Sequence, residues 1–453
     1  MTHRLTVIGT GYLGATHAAC MADLGFQVLG LDVDKTKIAR LAAGDLPFYE
    51  PGLEEILERN LANGRLRFTT SYEEVAEFGD VHFICVGTPQ KAGEYAADLT
   101  YVEDAVSSLA PLLHRSCLVV GKSTVPVGTA ERLAERIALL APADGDAVLA
   151  WNPEFLREGF AVQDTLKPDR IVAGVPADQG AAERAEKILR EIYASMLAEG
   201  TPFVVADYPT SELVKVAANA FLATKISFIN AMAEVCEAAG ADVTLLAKSI
   251  GYDSRIGNKF LRAGIGFGGG CLPKDIRAFQ ARAQEIGAGE ALRFLHEVDL
   301  VNQRRRNRVL QMAAELLNRP IGPAGPDFSG TKIAVLGAAF KPNTDDVRDS
   351  PGLAVAKALA KTSAEIVIYD PEAAEKARQE LPDVAYATSL TEAVDGADLT
   401  CVVTAWDEFR RADPHAVGEL AKARRIIDGM NCLDHAAWIA AGWDYRGMGR
   451  PIL

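Results

Sequence analysis

The sequence lacks any cysteine pair at the spacing of a metal or redox motif. Its seven cysteines are scattered, and no C-x-x-C pair occurs among them. This distribution argues against a disulfide framework and a zinc site, and it predicts a reducing, cytoplasmic compartment. No signal-peptide pattern precedes the first strand-like segment, and no apolar run is long enough to predict a membrane span. We therefore expect no membrane partner.

The sequence also lacks an excess of positive charge. Lys and Arg number 47 against 61 Asp and Glu, which gives a formal net charge of −14. This balance argues against binding to nucleic acid or to an anionic membrane surface, although a local group of cations can still bind an anionic ligand. The length of 453 residues exceeds the usual size of one hydrophobic core, so two or three domains are expected.

Short apolar runs alternate with amphipathic stretches in the first part of the chain. The runs that predict strands are TVIG (6–9), QVLGLD (27–32), VHFICV (81–86), CLVVGK (117–122), AVLAWN (147–152), RIVAG (170–174) and FVVAD (203–207). This alternation predicts a mostly parallel, doubly wound sheet. Long helical periodicity without strand candidates follows, and alternation then returns in KIAVLG (332–337), EIVIYD (365–370), LTCVVT (399–404) and RIIDG (425–429).

The predicted fold class is therefore α/β, with two doubly wound Rossmann-like domains joined by a helical middle domain. The first α/β domain is predicted over 1–208 and the helical middle domain over 209–318. Residues 319–330 hold three prolines and three glycines, which predict a linker. The second α/β domain is predicted over 331–453.

Residues 9–14 read GTGYLG and lie between the first predicted strand and a predicted helix. Glycines at this spacing permit a tight turn, close approach to a pyrophosphate and close helix–strand packing. The helix N-terminus offers N–H donors to the phosphates. Asp32 ends the next strand, where its carboxylate can bind both ribose hydroxyls and repel a 2′-phosphate, so NAD is favoured over NADP. Lys35 and Lys37 are cations that could instead serve a phosphate, or simply be solvated.

The stretch GFGGGCLPKD (266–275) is the most unusual in the chain. Cys271 follows three glycines and precedes a predicted helix, whose N-terminus lowers the pKa of a thiol. Asp275 lies one turn further on, where it can hold a lysine, a water or a substrate proton. The alternative, a buried apolar cysteine, suits Cys85 and Cys401 better, since both lie inside apolar strands.

Further polar residues occur on a predicted helix and at strand ends. Lys215 and Asn219 are four residues apart on the helix predicted over 211–239, so they share one face and could polarise an oxygen or a water. Two ordinary surface residues remain the alternative. Other residues follow strands, at the sheet edge where ligands bind, and turn capping is their alternative role: Thr88, Thr124, Glu154 and Glu158.

Taken in order, GTGYLG, VGTPQ, KSTVPVGT, NPEFLREGFAVQD, PDRIVAG, ELVKVAANAFLATKISFINAMAE, RIGNKFLRAGIGFGGGCLPKD and FKPNTDDVRDSP resemble the UDP-glucose/GDP-mannose dehydrogenase family. The resemblance covers the chain nearly end to end and is closest to the bacterial members that act on UDP-glucose. It implies oxidation of the sugar C6 alcohol to a carboxylate with two NAD and no metal. It also implies that residues 1–208 bind NAD and residues 331–453 bind the UDP-sugar.

The resemblance assigns roles to individual residues. Cys271 resembles the nucleophile that holds the C6 carbon as a thiohemiacetal and then a thioester, which water hydrolyses. The other implied catalytic residues are Lys215, Asn219, Asp275, Glu154 and Thr124. Implied cofactor contacts are Gly9, Thr10, Gly11, Tyr12, Leu13, Gly14, Asp32, Lys37, Thr88, Thr124, Glu158 and Arg348. Implied substrate contacts are Glu154, Phe155, Leu156, Arg157, Lys215, Asn219, Arg255, Phe260, Gly268, Phe340 and Lys341.

The family also supplies an expectation of assembly and two departures. Arg255 resembles a residue contributed across a dimer interface, which implies a homodimer or a higher homo-oligomer. Gly270 stands where the family commonly has Ser, and a minor effect is expected. Met430 stands where Arg is usual, which predicts weaker substrate binding or compensation by Arg424 or Arg425.

Three alternatives to UDP-glucose oxidation stay open at this point. The same four-electron chemistry could act on GDP-mannose or on a UDP-N-acetylhexosamine. A two-electron hydroxyacid-type dehydrogenase shares the architecture but does not need the GFGGGCLPKD stretch. An NAD sensor without catalysis would keep the glycine loop but would not need Lys215, Asn219 and Cys271 together.

Overall fold

The computed structural model describes residues 3–323 and 325–451. Two compact units divide the chain, the first made of Met1–Ala218 with Arg277–Gly289 and the second of Asn219–Ile276 with Glu290–Leu453. Each unit contains one large sheet with helices packed against it, so the predicted α/β class with two Rossmann-like sheets and a helical middle region is confirmed. The predicted domain boundaries themselves stay a prediction.

The sheet of the first unit has eight strands in the order β3-β2-β1-β4-β5-β6-β7-β8. Its pairings are parallel except for β6 with β7, which is antiparallel. Reversal of strand order beside β1 is the switch point at which doubly wound sheets bind ligands. The strands are β1 (Arg4–Ile8), β2 (Gln27–Leu31), β3 (Leu66–Thr69), β4 (Val81–Ile84), β5 (Cys117–Gly121), β6 (Ala147–Trp151), β7 (Ile171–Val175) and β8 (Phe203–Asp207).

The helices of the first unit cover both faces of this sheet with apolar residues. They are α1 (Tyr12–Asp23), α2 (Lys35–Ala42), α3 (Leu53–Ala62), α4 (Tyr72–Phe78), α5 (Thr100–Leu109), α6 (Thr129–Leu140), α7 (Ala161–Leu166), α8 (Gln179–Ile192) and α9 (Ala194–Ala198), with a 3₁₀ turn at Ala110–Leu112. Asp34 and Asp178 begin α2 and α8 by accepting hydrogen bonds from first-turn N–H groups.

The helical region predicted after residue 209 is present. It consists of α10 (Tyr208–Ala239), α11 (Val243–Gly251), α12 (Leu272–Glu285) and α13 (Phe294–Leu317), with a 3₁₀ turn at Gly289–Leu292. Helix α10 begins three residues before the predicted Ser211, because Asp207 accepts from the N–H of Thr210 and a proline is tolerated in a first turn. The predicted linker instead contains a small antiparallel pair, β9 (Ile321–Gly322) and β10 (Gly325–Pro326).

The second unit carries a six-stranded parallel sheet in the order β13-β12-β11-β14-β15-β16. Its strands are β11 (Lys332–Leu336), β12 (Glu365–Tyr369), β13 (Ala385–Tyr386), β14 (Leu399–Val402), β15 (Arg425–Asp428) and β16 (Asp444–Gly447). Its helices are α14 (Pro351–Ala360), α15 (Ala374–Glu380), α16 (Leu390–Val394), α17 (Asp407–Arg410), α18 (Pro414–Leu420) and α19 (His435–Ala440). The sequence did not predict β3, β13 or β16.

The expectation of no apolar run long enough for a bilayer is wrong in one respect. Over the described residues, helix α10 is long and apolar enough to cross a bilayer by its length and composition, and just under half of its most apolar stretch is buried within the protein. A long core helix meets the same criteria, so α10 on its own is weak support for a membrane span.

Candidate active site

Each of the three glycines of the GTGYLG loop is required, or left open, for a different structural reason. Gly9 has a φ of +89°, and a Cβ there would lie 2.8 Å from the Val86 backbone. A Cβ at Gly14 would lie 1.8 Å from the carbonyl oxygen of Gly9, so this glycine permits the helix to pack against the turn. No protein atom lies within 4 Å of a Cβ built at Gly11. Gly11 is therefore the glycine whose open space suits a ligand.

Asp32 lies at the end of β2, directly beside this loop. Its carboxylate accepts from the N–H of Thr10 at 2.9 Å and from Lys37 Nζ at 2.8 Å. Burial tends to raise the pKa of Asp32, but the hydrogen bonds from Lys37 and from backbone N–H groups lower the pKa overall. Helix α1 has no acidic residue in its first turn. The ionised Asp32 and the positive end of α1 together fit the ribose and pyrophosphate of NAD.

Glu50 is a functional candidate that sequence reasoning missed. It is buried, and its carboxylate accepts from the N–H groups of Gly159 at 2.6 Å and Ala161 at 2.7 Å, and from the hydroxyl of Tyr12. It thus joins α1 to the segment that carries Glu158. The only signal in the sequence is an acidic residue before a Pro-Gly turn, which does not reveal partners more than a hundred residues away.

Two strand-end loops of the first unit are joined by the predicted threonines. Thr88 follows β4, and its hydroxyl donates to the carbonyl oxygen of Thr124 at 2.7 Å. Ser123 Oγ donates to the carbonyl oxygen of Val86 at 2.7 Å. Hydrogen bonds of this kind hold the two loops at one edge of the sheet, which is where the sequence placed them.

Glu154 and Lys215 form a largely buried ion pair in the first unit. Lys215 Nζ lies 3.0 Å from Glu154 Oε1, and their side chains are 5% and 12% exposed. Glu154 Oε2 also accepts from the N–H of Leu156 at 2.5 Å, which fixes the carboxylate. The Phe155 ring lies between two cations, with the Arg170 guanidinium 3.7 Å and the Lys215 ammonium 5.7 Å from its centroid. The structure thereby brings Glu154 and Phe155, which follow a strand, into contact with Lys215 on α10.

Arg157 lies at the surface, unlike the largely buried Glu154 and Lys215. Its guanidinium is exposed and forms a two-pronged pair with Asp164, at 2.6 and 2.8 Å. Asp164 also accepts from the backbone N–H of Arg157 at 2.9 Å. The guanidinium is therefore held by a carboxylate of its own unit, and substrate binding by its side chain would require exchange of that partner.

Glu212 is a second candidate that sequence reasoning missed. It lies one turn before Lys215 and is 2% exposed. Its two carboxylate oxygens accept from the N–H groups of Gly128 at 2.7 Å and Ala130 at 2.6 Å, at the start of α6. Burial raises the pKa of Glu212 to about 7, although these N–H groups lower it. Glu212 therefore connects the helix of Lys215 to the loop that follows Thr124.

We expect Glu212→Gln to lower Tm by several degrees, because the amide NH2 would face one of the two N–H groups as a second donor, whereas both oxygens of the carboxyl, protonated or ionised, keep a lone pair. An unmatched buried donor costs about 1–3 kcal/mol. The folded-state pKa is raised above the usual value of 4.5, so wild-type stability declines as pH rises from about 4.5 to about 7. The difference in Tm between wild type and variant should therefore narrow over that interval. Thermal melts at several pH values test this, with exposed Glu131→Gln as the control; equal Tm values at pH 5 would contradict it.

Cys271 lies directly before α12 in the second unit and is exposed. The six other cysteines are buried or half-buried. Burial raises the pKa of Cys85 and of Cys401 to about 12, so these thiols stay protonated at neutral pH. Exposure and a position at a helix N-terminus both distinguish Cys271 from the other six cysteines, and its reactivity stays a prediction.

Asn219 and Asp275 meet in the second unit. Asn219 Nδ2 donates to Asp275 Oδ2 at 2.7 Å, and Lys274 Nζ lies 2.5 Å from Asp275 Oδ1. Asp275 is 2% exposed, and it lies one turn after Cys271 on α12. Asp275 is therefore a fixed carboxylate close to the thiol along the helix.

The glycines before Cys271 pack against residues 340–351 of the same unit. A Cβ at Gly268 would lie 2.2 Å from the carbonyl oxygen of Asp349, and one at Gly269 would lie 2.7 Å from the Phe340 ring. The N–H of Gly269 donates to the carbonyl oxygen of Arg348 at 2.9 Å. A Cβ at Gly270 would lie 2.3 Å from Arg348 Cζ. Close approach to the protein's own chain, which the sequence did not predict, therefore explains this glycine run.

The remaining predicted ligand contacts of the second unit lie on its surface loops. Arg255 is 87% exposed on its side chain and pairs with Asp253 at 2.6 Å. Phe260 has a φ of 61° and is 40% exposed. Lys341 Nζ lies 5.4 Å from the centroid of the Phe340 ring.

The predicted compensation for Met430 by Arg424 or Arg425 is wrong. Both arginines precede or begin β15, whereas Met430 follows it, so they belong to the opposite edge of the sheet. Arg424 instead donates to the carbonyl oxygen of Ala441 at 2.5 Å. Two other arginines lie near this loop. Burial raises the pKa of Cys432, two residues after Met430, and the charges of Arg410 and Arg262 oppose that rise.

No group of three or more His, Cys, Asp or Glu side chains suited to a metal ion occurs within residues 3–323 and 325–451. The donors that are present are the single carboxylates, lysines and amides described above. The carboxylates and lysines can transfer protons and stabilise charge, and Cys271 adds an exposed thiol.

Residues 3–197, 209–304 and 334–435 match, in this order, the NAD binding, central and UDP binding domains of the UDP-glucose/GDP-mannose dehydrogenase family. The UDP-glucose 6-dehydrogenase of Rhizobium meliloti (strain 1021) is 41% identical over 448 residues, which cover 99% of this chain and 100% of the relative. A UDP-glucose dehydrogenase structure from Pyrobaculum islandicum is similar at 38% identity and a TM-score of 0.88, covering 99% of this chain and 98% of that one. A UDP-D-ManNAc dehydrogenase structure from Pyrococcus horikoshii is similar at 27% identity and a TM-score of 0.82, covering 99% and 100%.

Proposed function

Since this chain belongs to the UDP-glucose/GDP-mannose dehydrogenase family and is thus an NAD-dependent oxidoreductase, we propose that it oxidises C6 of UDP-glucose to the carboxylate of UDP-glucuronate. The observation that carries the proposal is the exposed Cys271 at the start of α12, one turn before the buried Asp275. A four-electron oxidation needs an intermediate that cannot diffuse away, and a covalent thiol adduct provides one. The alternative is the same chemistry on GDP-mannose or a UDP-N-acetylhexosamine.

The proposed mechanism begins with binding of the cofactor by the first unit. Asp32 would accept from the ribose hydroxyls of NAD, and Gly11 with the N-terminus of α1 would hold its pyrophosphate. NAD+, when bound, accepts one hydride from C6 in each oxidation. Lys37, Thr88, Thr124, Glu158 and Arg348 are proposed as further contacts on the grounds of the family resemblance.

Cys271 then holds the C6 carbon between the two oxidations. The thiolate adds to the C6 aldehyde, and the aldehyde oxygen takes a proton to give a thiohemiacetal. Loss of a hydride and of the hydroxyl proton gives a thioester. Water then adds to the thioester carbonyl and the thiolate leaves, so one water is consumed and the product is a carboxylate. The net reaction releases two NADH and three protons for each sugar.

The charged residues of the site move protons and stabilise negative charge in this scheme. Lys215, held by Glu154, stabilises the C6 oxyanion, for which a preorganised cation is suited. Asn219 and Asp275 position the attacking water, and Glu154 is proposed to accept its proton. The remaining substrate contacts are proposed to be Phe155, Leu156, Arg157, Arg255, Phe260, Gly268, Phe340 and Lys341.

We also propose the division of labour among the predicted domains, with 1–208 binding NAD, 209–318 forming the dimer, 319–330 as the linker and 331–453 binding UDP. Support for a homodimer comes from an apolar stripe on α10, where Phe221, Phe228 and Val235 recur every seven residues and are 50–67% exposed. Such a stripe on a helix of a globular protein fits a partner surface. The scattered positions of the seven cysteines in the sequence, without a C-x-x-C pair, support a reducing, cytoplasmic location.

Counting NADH released per UDP-glucose consumed tests the proposed function. Two NADH per sugar are expected, with no free aldehyde in the solution. One NADH per sugar would overturn the four-electron route. Parallel assays with GDP-mannose and UDP-N-acetylglucosamine test the substrate, since a higher kcat/KM with either would replace UDP-glucose.

Met430→Arg is expected to lower KM for UDP-glucose about tenfold, because it restores a charged contact that the family usually has. One charge-assisted hydrogen bond contributes about 1.5–3 kcal/mol. Steady-state kinetics with Met430→Leu as the apolar control measure the effect. An unchanged KM in Met430→Arg would remove the idea that this position contacts the substrate.

A further inference from the structure

The guanidinium of Arg348 occupies the space that a side chain at residue 270 would need. A Cβ built on Gly270 would lie 2.3 Å from Cζ and 2.5 Å from both Nη atoms. These nearly equal distances mean that the planar group lies flat against the Gly270 backbone. A side chain at residue 270 would therefore require the guanidinium, which is the far end of a flexible and mostly exposed side chain, to move aside. The expectation that glycine in place of Ser has little effect stays a prediction, which the variants below test.

Arg348 is held in this position by the chain around it. Asp346 accepts from its Nε at 2.9 Å and from Nη2 at 2.6 Å. The carbonyl oxygen of Arg348 accepts from the N–H of Gly269 at 2.9 Å. The guanidinium therefore lies within about 8 Å of the Cα of Cys271, because consecutive Cα atoms are about 3.8 Å apart.

We propose that Gly270 is a positioning residue, whose missing side chain admits the Arg348 guanidinium against the backbone next to Cys271 and so favours the thiolate of that residue. The inference rests on the proposed function, in which that thiol is the nucleophile. A nearby cation lowers the pKa of a thiol, as does the helix N-terminus at which Cys271 lies. Arg348 thus serves the nucleophile in addition to the cofactor contact proposed for it.

Other charged groups lie on the segments of the second unit that pack around the glycine run and Cys271, among them Lys341 and the Arg306–Asp349 pair at 3.4 Å. Asp275 lies one turn away on α12, and its charge is paired with Lys274 at 2.5 Å. Asp346 contacts the Nε and Nη2 edge of Arg348, so it reduces the field of the guanidinium. Because the Arg348 side chain is 64% exposed, solvent screens it further. The expected effect on the thiol is therefore on the order of half a pH unit.

The test measures iodoacetamide alkylation of Cys271 against pH in the full-length enzyme without cofactor, with Cys271→Ser as the blank. The variants are Gly270→Ala, Arg348→Gln and the double variant. Each single change should raise the alkylation midpoint by about half a pH unit, which lowers the rate at pH 7 about threefold. The double variant should shift no further, and the difference between wild type and Arg348→Gln should shrink in 1 M salt.

Two results would overturn the proposal. The first is a midpoint that does not move in Arg348→Gln, a change at a mostly exposed side chain that leaves folding intact if Tm is unchanged. The second is a Gly270→Ala shift of the same size in the Arg348→Gln background, since the alanine would then act through the backbone alone. The NADH count of the wild type is independent of both, so failure here is distinguishable from failure of the proposed function.

Discussion

Cys271→Ser is expected to lower kcat for UDP-glucuronate formation by at least about a thousandfold. The hydroxyl of serine is a far weaker nucleophile than a thiolate at neutral pH, and its adduct with the aldehyde would be a hemiacetal in place of a thiohemiacetal. The second oxidation would then yield an ester, which is a poorer acyl donor to water than a thioester. Stopped-flow measurement of NADH should show at most one slow turnover per active site.

The control for this variant is a cysteine remote from the proposed chemistry. Cys236 is 2% exposed within α10, and burial raises the pKa of its thiol. Cys236→Ala should retain two NADH per sugar. If Cys271→Ser kept multiple turnovers with two NADH per sugar, the covalent route would be incorrect even though the family assignment would stand.

The cofactor loop could be predicted from the sequence because its determinants are local. Gly9, Gly14 and Asp32 fall within one strand–helix–strand segment, and each spacing follows from the tight geometry of that segment. The fold class was predictable for the same reason, since buried parallel strands are continuous apolar runs. The structure adds that only Gly11 leaves open space in the loop.

The missed strands are edge strands or very short ones. β3 and β16 each pair with one neighbour, and they contain Arg67, Asp444 and Arg446. β13 has two residues. Edge strands need neither an apolar run nor two buried faces, so the pattern that reveals central strands is absent from them.

The partners of the site residues could not be predicted, because they are distant in sequence. Asn219 and Asp275 are 56 residues apart, and Glu50 and Gly159 are 109 residues apart. Helical periodicity placed Lys215 and Asn219 on one face but could not distinguish a site from a solvated surface. Likewise, the sequence of a glycine run does not show whether a ligand or the protein's own chain approaches it. In this protein residues 340–351 approach the run before Cys271.

The buried Glu154–Lys215 ion pair is expected to contribute little to the free energy of unfolding. Removing two charges from water costs several kcal/mol for each ion, so a buried pair often adds little to stability compared with apolar residues of similar volume. Breaking the pair by removing one partner is costly, because the other charge is left buried. A pair that adds little to stability and lies among strand-end residues is therefore better explained by its chemistry than by the fold.

Lys215 and Glu154 should therefore have separable effects on stability and turnover. Lys215→Met should destabilise the protein by about 3–5 kcal/mol, because Glu154 is left without its cation, and should lower kcat at least about a hundredfold by removing the oxyanion partner. Adding Glu154→Gln should recover most of the stability, since the amide can keep its bond from the N–H of Leu156. Turnover should not recover. Denaturant melts and steady-state kinetics on both single variants and the double variant measure this, and a double variant that regained activity together with stability would reduce Lys215 to a structural residue.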